Sequence, residues 1–123
     1  INISSIAGKR GSKNNAIYSS TNFAISGLTQ SLSKELGEKG IRVNSVCPVL
    51  IKTPGLIKAL KSTYSPASGK IDKFLKEFSQ KNSALGHLPT GYDVAKLCYF
   101  LIDQSSKSIT GQNINLDCGV FPQ

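Results

Sequence analysis

Methionine and tryptophan are missing from this 123-residue chain, and histidine occurs once, at His87. A chain that opens Ile1-Asn2-Ile3 with no Met reads as a fragment or a processed piece. One histidine without clustered Cys or carboxylates argues against a dedicated zinc site, so no metal is expected. Cysteine is sparse and odd in number. Cys47, Cys98 and Cys118 lie far apart, which fits buried thiols in a reducing, cytoplasmic compartment rather than a disulfide framework. No apolar run nears membrane-spanning length and no signal-peptide pattern opens the chain, so no membrane partner is expected. Acidic residues are few, seven against fifteen basic, for a net charge of +8. The lysines are spread out and not interleaved with aromatics, so this excess reads as a solvated surface and no nucleic-acid partner is expected.

What is present is the patterning of one α/β domain. Ile1 to Ile6 is rich in β-branched residues and runs through Ser4-Ser5 into Ala7-Gly8, as a buried strand runs into a turn. Gly8 to Asn15 is a polar connector. Its Gly-Lys pair lacks the spacing of a phosphate-binding loop. From Ala16 to Glu38, Ala24, Ile25, Leu28, Leu32 and Leu36 recur at threes and fours, which predicts a helix with that apolar face inward. Gly37 and Gly40 stop it. Ile41 to Cys47 is a second strand, ended by Pro48. Strand, helix, strand at this length is a right-handed crossover between parallel strands.

Lys52 to Leu88 has a different character, rich in Lys and Ser and interrupted by Pro and Gly. It predicts one short amphipathic helix around Ile71, Phe74, Leu75 and Phe78. Thr90 to Asp103 is another helix, with Thr90 placed to cap it and Asp93 three residues on. Asn113 to Leu116 is the last strand.

Three residues carry the candidate chemistry. Tyr18 and Asn22 are four apart and share one helix face. Ser5 lies thirteen residues before Tyr18, at the end of the first strand. Taken singly, a strand-end Ser is often a backbone cap, and a helical Tyr is usually packing or surface. Together with Lys34-Glu35-Leu36, Gly40-Ile41-Arg42-Val43-Asn44, Pro48 to Pro54 and Thr110-Gly111-Gln112 to Asp117, the set resembles the carboxyl half of a short-chain dehydrogenase/reductase. The resemblance covers nearly all of residues 1–123. It implies the C-terminal portion of a Rossmann-like doubly wound parallel sheet: three parallel strands with crossover helices, and 52–88 as the variable substrate lid.

The family chemistry is hydride transfer between a nicotinamide, NAD or NADP, and a small-molecule alcohol or carbonyl substrate. By resemblance, Ser5 holds the substrate oxygen, Tyr18 passes it a proton, and Asn22 completes the catalytic set. Tyr18, Asn22, Pro48, Ile51 and Thr53 fall where the family contacts the cofactor. The glycine-rich pyrophosphate turn has no counterpart in these residues, so binding of the cofactor by this chain alone is in doubt. Members are commonly homo-oligomers.

Three departures from the family pattern stand out: a mild one, Cys118 in place of a common terminal Gly, and two at the site. Where the family has Lys, this chain has Asn22, which can hydrogen-bond but carries no charge. At an effective dielectric of about 20 and roughly 4–5 Å, that missing charge is worth about 3–4 kcal/mol to a phenolate. Val49 replaces a common Gly after Pro48 and is expected to crowd the nicotinamide or alter the backbone angle. The resemblance therefore implies an oxidoreductase with impaired turnover. The alternative is a pseudoenzyme or scaffold acting by binding or oligomerisation.

Overall fold

The computed structural model describes residues 1–123. Three parallel strands, β1 (Asn2–Ile3), β2 (Ser45–Pro48) and β3 (Asn113–Leu116), form one sheet in the order β1-β2-β3. The register sets Asn2 beside Ser45, and Ser45 beside Asn113. The first crossover is the helix α1 (Ala16–Gly37). The second holds three helices, α2 (Pro54–Leu60), α3 (Ile71–Asn82) and α4 (Gly91–Ile102).

The expected strands are trimmed at the ends. The main chain leaves β1 after Ile3, because Ser5 caps a short 3-10 turn at Ile6–Gly8. Ile41 to Asn44 precedes β2 as irregular chain. There Val43 N–H bonds the Thr110 hydroxyl at 3.0 Å, a side-chain partner that interrupts the ladder. The segment between β2 and α3, read from sequence as loop, contains α2. Thr53 caps it by accepting from Leu56 N–H, and Pro54 sits at the first helical position, where a missing N–H costs nothing.

The helix α1 turns a different face inward from the one its apolar spacing predicts. Ser19, Asn22, Thr29 and Ser33 are buried, whereas Leu28 is 52% exposed. Small hydroxyl residues let the helix lie close on the chain beneath it. A Cβ on Gly111 would come within 2.7 Å of Ser33 Oγ. Buried hydroxyls find acceptors on their own helix, Thr29 on Ile25 O (2.8 Å) and Ser33 on Gln30 O (2.8 Å), and the half-buried Ser26 lies 3.3 Å from both Asn22 O and Gly8 O. Asn2 reaches across from β1 to Thr29 Oγ1 at 3.0 Å.

The buried apolar cluster belongs to the second crossover. Leu60, Ala67 and Leu75 are buried together, with Leu56, Ile71, Phe74 and Leu88 packed around them. Thr90 and Asp93 form the reciprocal capping box at the start of α4. Asp117, just beyond β3, accepts from the N–H groups of Gly119 (3.0 Å) and Phe121 (2.8 Å) and folds the last residues back. No helix is long and apolar enough to cross a membrane.

Candidate active site

In a parallel sheet the strand ends that point the same way gather at one edge, and ligands bind outside the carboxyl ends. Ser5 and Pro48 meet at that edge. The Ser5 hydroxyl accepts from Ala7 N–H at 3.2 Å and donates to Pro48 O at 3.4 Å. The second contact is long for a hydroxyl donor, so the proton is weakly held.

Tyr18 lies in the first turn of α1, 54% exposed. Its ring makes no hydrogen bond within the chain, while its main-chain carbonyl accepts from Asn22 Nδ2 at 2.8 Å and from Thr21 Oγ1 at 2.9 Å. Asn22 is only 6% exposed, and its Oδ1 lies 3.2 Å from Ser4 Oγ. The amide is thus bonded at both ends inside the fold.

Thr53 and Ile51 follow Pro48 on the loop into α2, with Thr53 N–H bonded to Ile51 O at 2.7 Å. The Thr53 hydroxyl uses a lone pair as the cap of α2 and keeps its proton to donate. Val49 does not project from this edge. Its side chain is buried, its N–H extends the ladder to Leu116 O at 3.2 Å, and its φ is outside the left-handed region. The backbone there needs no glycine.

The two remaining charged or nucleophilic neighbourhoods are quieter. Burial pushes the Cys47 thiol up, against smaller opposing effects from the Ser45 hydrogen bond and the Lys9 charge. Burial also pushes up Cys118, helped by the carboxylates of Asp117 and Asp93, although its Sγ lies 3.6 Å from His87 Nδ1. Both sulfurs are held as thiols, and neither is an activated nucleophile. No three His, Cys, Asp or Glu side chains come together.

An open cleft of about 400 Å³ runs between the loop after β2, α3 and the approach to α4. Of the residues expected at the site it contains only Ile51. Ser4 and Gly8 are the residues that sequence reasoning passed over. The legible signal was alternation along β1, which sends Asn2 and Ser4 to the same side.

Comparison with known proteins now places the chain. The family model described as Enoyl-(Acyl carrier protein) reductase matches residues 1–121. A short-chain dehydrogenase/reductase, aba4, of Botryotinia fuckeliana is 39% identical over 122 residues, covering 97% of this chain and 44% of its own length. The ligand-free aldohexose dehydrogenase of Thermoplasma acidophilum superposes with a TM-score of 0.85 at 28% identity, over 97% of this chain and 46% of that one. The structure described as ElxO with NADP bound gives 0.79 at 36% identity, over 97% and 44%. This chain belongs to the short-chain dehydrogenase/reductase family, and it spans about half the length of the relatives it matches.

Proposed function

We propose that this chain carries the substrate end of an NAD(P)-dependent oxidoreductase acting on a small alcohol or carbonyl compound. The observation that carries the reading is the pair of uncommitted hydroxyls: the Ser5 proton, held at 3.4 Å by Pro48 O, and the exposed, unbonded hydroxyl of Tyr18. Both belong to segments that open at the carboxyl edge of the sheet. Ser5 turns its proton from Pro48 O to the substrate oxygen and fixes that oxygen in place. Tyr18 gives or takes the proton that accompanies its reduction or oxidation.

The residues present fit the nicotinamide end of a dinucleotide. Thr53 has a hydroxyl proton free to donate, and Pro48 and Ile51 line the chain beside it. When bound, the nicotinamide supplies or accepts the hydride. The segment 52–88, with α2 and α3, is proposed as the lid over the substrate. Lys52 pairs with Asp72 of α3 at 2.6 Å and ties that helix to the loop after Pro48. Both partners are exposed, so the pair steers more than it stabilises.

Asn22 sets the expected rate. It stands where the family has a cation and supplies none, so turnover is low. In the complete protein, Ser5→Ala and Tyr18→Phe each lower kcat at least a hundredfold and leave the dinucleotide Kd within about threefold. Asn22→Lys raises kcat by orders of magnitude. The measurement is NADH and NADPH consumption against a panel of ketones, diketones and aldoses. Turnover that survives Tyr18→Phe would sink the assignment. The second reading, a scaffold that binds without turning over, is favoured by the Asn22 amide being consumed within the fold. It predicts dinucleotide binding with no oxidation of either coenzyme in any member of the panel. A homo-oligomer is proposed under both readings.

A further inference from the structure

Ser4 precedes the serine assigned to chemistry and is 7% exposed. Its N–H donates to Val46 O at 2.8 Å, which ties it to β2 beyond the end of β1. Its hydroxyl faces α1, 3.2 Å from the main-chain oxygen of Asn22 and 3.2 Å from Asn22 Oδ1. Asn22 passes the connection on, through Nδ2 to Tyr18 O at 2.8 Å. Gly8 lies at the same crossing, where a Cβ would meet Asn22 O at 2.6 Å and Ser4 Oγ at 2.8 Å.

We infer that Ser4 and Asn22 are positioning residues: a clasp that sets the turn carrying Ser5 against the turn of α1 carrying Tyr18. The inference rests on the reading of Ser5 and Tyr18 as the pair that meets substrate. A hydroxyl has one proton, so Ser4 satisfies one Asn22 acceptor at a time. Both acceptors lie on the same residue, and either choice holds Ser4 to the same turn of the helix. Ser5 is one peptide bond away and heads its own short turn, so the Ser4 contact, together with the Ser5 bonds to Ala7 N–H and Pro48 O, sets where its hydroxyl lies. Groups that act on one substrate atom must be held to within about 0.5 Å, and a misplacement of about 1 Å costs on the order of a hundredfold in rate. Two side-chain contacts join the segment 4–8 to α1: the Ser4 hydroxyl on Asn22, and the Ser26 hydroxyl, 3.3 Å from Gly8 O at the far end of the turn that Ser5 heads. The Ser4 contact is the one adjacent to Ser5. The alternative for these side chains is ordinary buried polarity, which would affect stability and not rate.

The test uses the complete protein, with Ser4→Ala and Asn22→Ala. Ser4→Ala removes both acceptor contacts. Asn22→Ala removes one and the Tyr18 link, and leaves the main-chain contact in place. Two readouts are taken at a temperature where each variant is folded. Hydrogen exchange of the Ala7 and Gly8 main-chain amides, which close the turn that Ser5 heads onto Ser5 Oγ and Ser5 O, followed by NMR in Ser4→Ala, reports the clasp without reference to activity, and at least a tenfold acceleration is expected. Steady-state kinetics report its use: kcat falls ten- to a hundredfold in Ser4→Ala, with the dinucleotide Kd within twofold, and falls less in Asn22→Ala. Unchanged amide exchange overturns the clasp. Faster exchange with kcat within twofold of an active parent overturns its positioning role. A parent that turns over nothing defeats the reading of Ser5 and Tyr18 instead, and the amide exchange then still decides whether the clasp exists.

Discussion

At the scale of single residues, the turn after β3 holds two neighbours with opposite demands. Cys118 has φ +54 and Gly119 φ +77, both in the left-handed region. A side chain there costs about 1–2 kcal/mol, and Cys118 bears that cost while Gly119 avoids it. Space separates them further, because a Cβ on Gly119 would lie 2.6 Å from the Ala84 methyl. Gly119→Ala is therefore expected to destabilise by about 2 kcal/mol or more, with backbone strain and overpacking adding. Cys118→Gly is expected to stabilise by about 0.5–1 kcal/mol, the relief of strain being partly offset by glycine's greater freedom when unfolded. Urea midpoints of both variants check the pair, and a Gly119→Ala protein as stable as the parent would refute the strain argument. The same reasoning explains why Val49 is accommodated. Its backbone is in an ordinary region and its side chain faces inward, so the glycine that the resemblance leads one to expect has no conformational task here.

At the scale of elements, what could be read in advance depended on where each element's signal resides. α4 and β3 were legible to the residue or nearly so, because the Thr90-x-x-Asp93 box and the Gly111 turn are local chemistry. The length of α1 was legible from its periodicity and closing glycines, but its buried face was not. Apolar spacing points to Leu28, yet a close crossing over Gly8 and Gly111 selects small hydroxyl residues, and that demand comes from chain distant in sequence. α2 was missed although Thr53-Pro54 is a helix start, because the surrounding Lys, Ser, Pro and Gly read as loop. Near the strand ends, the positions of Ser5 after β1 and of Pro48 closing β2 were legible as chain geometry, whereas the contact of Asn22 with Ser4, eighteen residues away, was not.

The α4 cap also carries a pH dependence. The Thr90 hydroxyl, and then its N–H, donate to Asp93 and hold that carboxyl below its ordinary value of 3.8. A depressed carboxyl contributes stability above its unfolded pKa and loses it as pH falls through the folded value. Ser105, by side chain and backbone, likewise lowers Asp103 just past the same helix. Thermal unfolding at pH 5 and at pH 3 should show a smaller loss for Asp93→Asn than for the parent, with the remainder owed in part to Asp103. Equal slopes for the two proteins would show that the cap does not titrate with folding. Thr90→Ala removes the N-cap acceptor and is expected to cost about 1 kcal/mol at neutral pH.

At the scale of the whole molecule, 21 of 123 residues are buried, and only eight of those are hydrophobic. Such a core is thin for the conformational entropy of a chain this long. Large side chains remain outside on several elements: Ile1 and Ile3 at the β1 edge, Ile17 and Leu28 on α1, and Tyr99 and Ile102 on α4. An unpaired parallel edge with apolar flanks invites association. The 123-residue chain by itself is expected to elute above monomer mass and to bind a hydrophobic dye while keeping helical circular dichroism. A dye-silent monomer in sedimentation velocity would show that the small core suffices alone.

Ser4 offers its proton to two acceptors on one residue, and only one of them is a side-chain atom. The main-chain oxygen is present whatever amino acid occupies position 22. Asn and Lys codons differ by a third-base change, so the cation that the family uses is one nucleotide away. The Ser4 contact with that main-chain oxygen survives the change, whereas the two side-chain bonds of the Asn22 amide do not. Under the proposed reading of position 22, that single-step change to Lys is open to a laboratory selection for turnover.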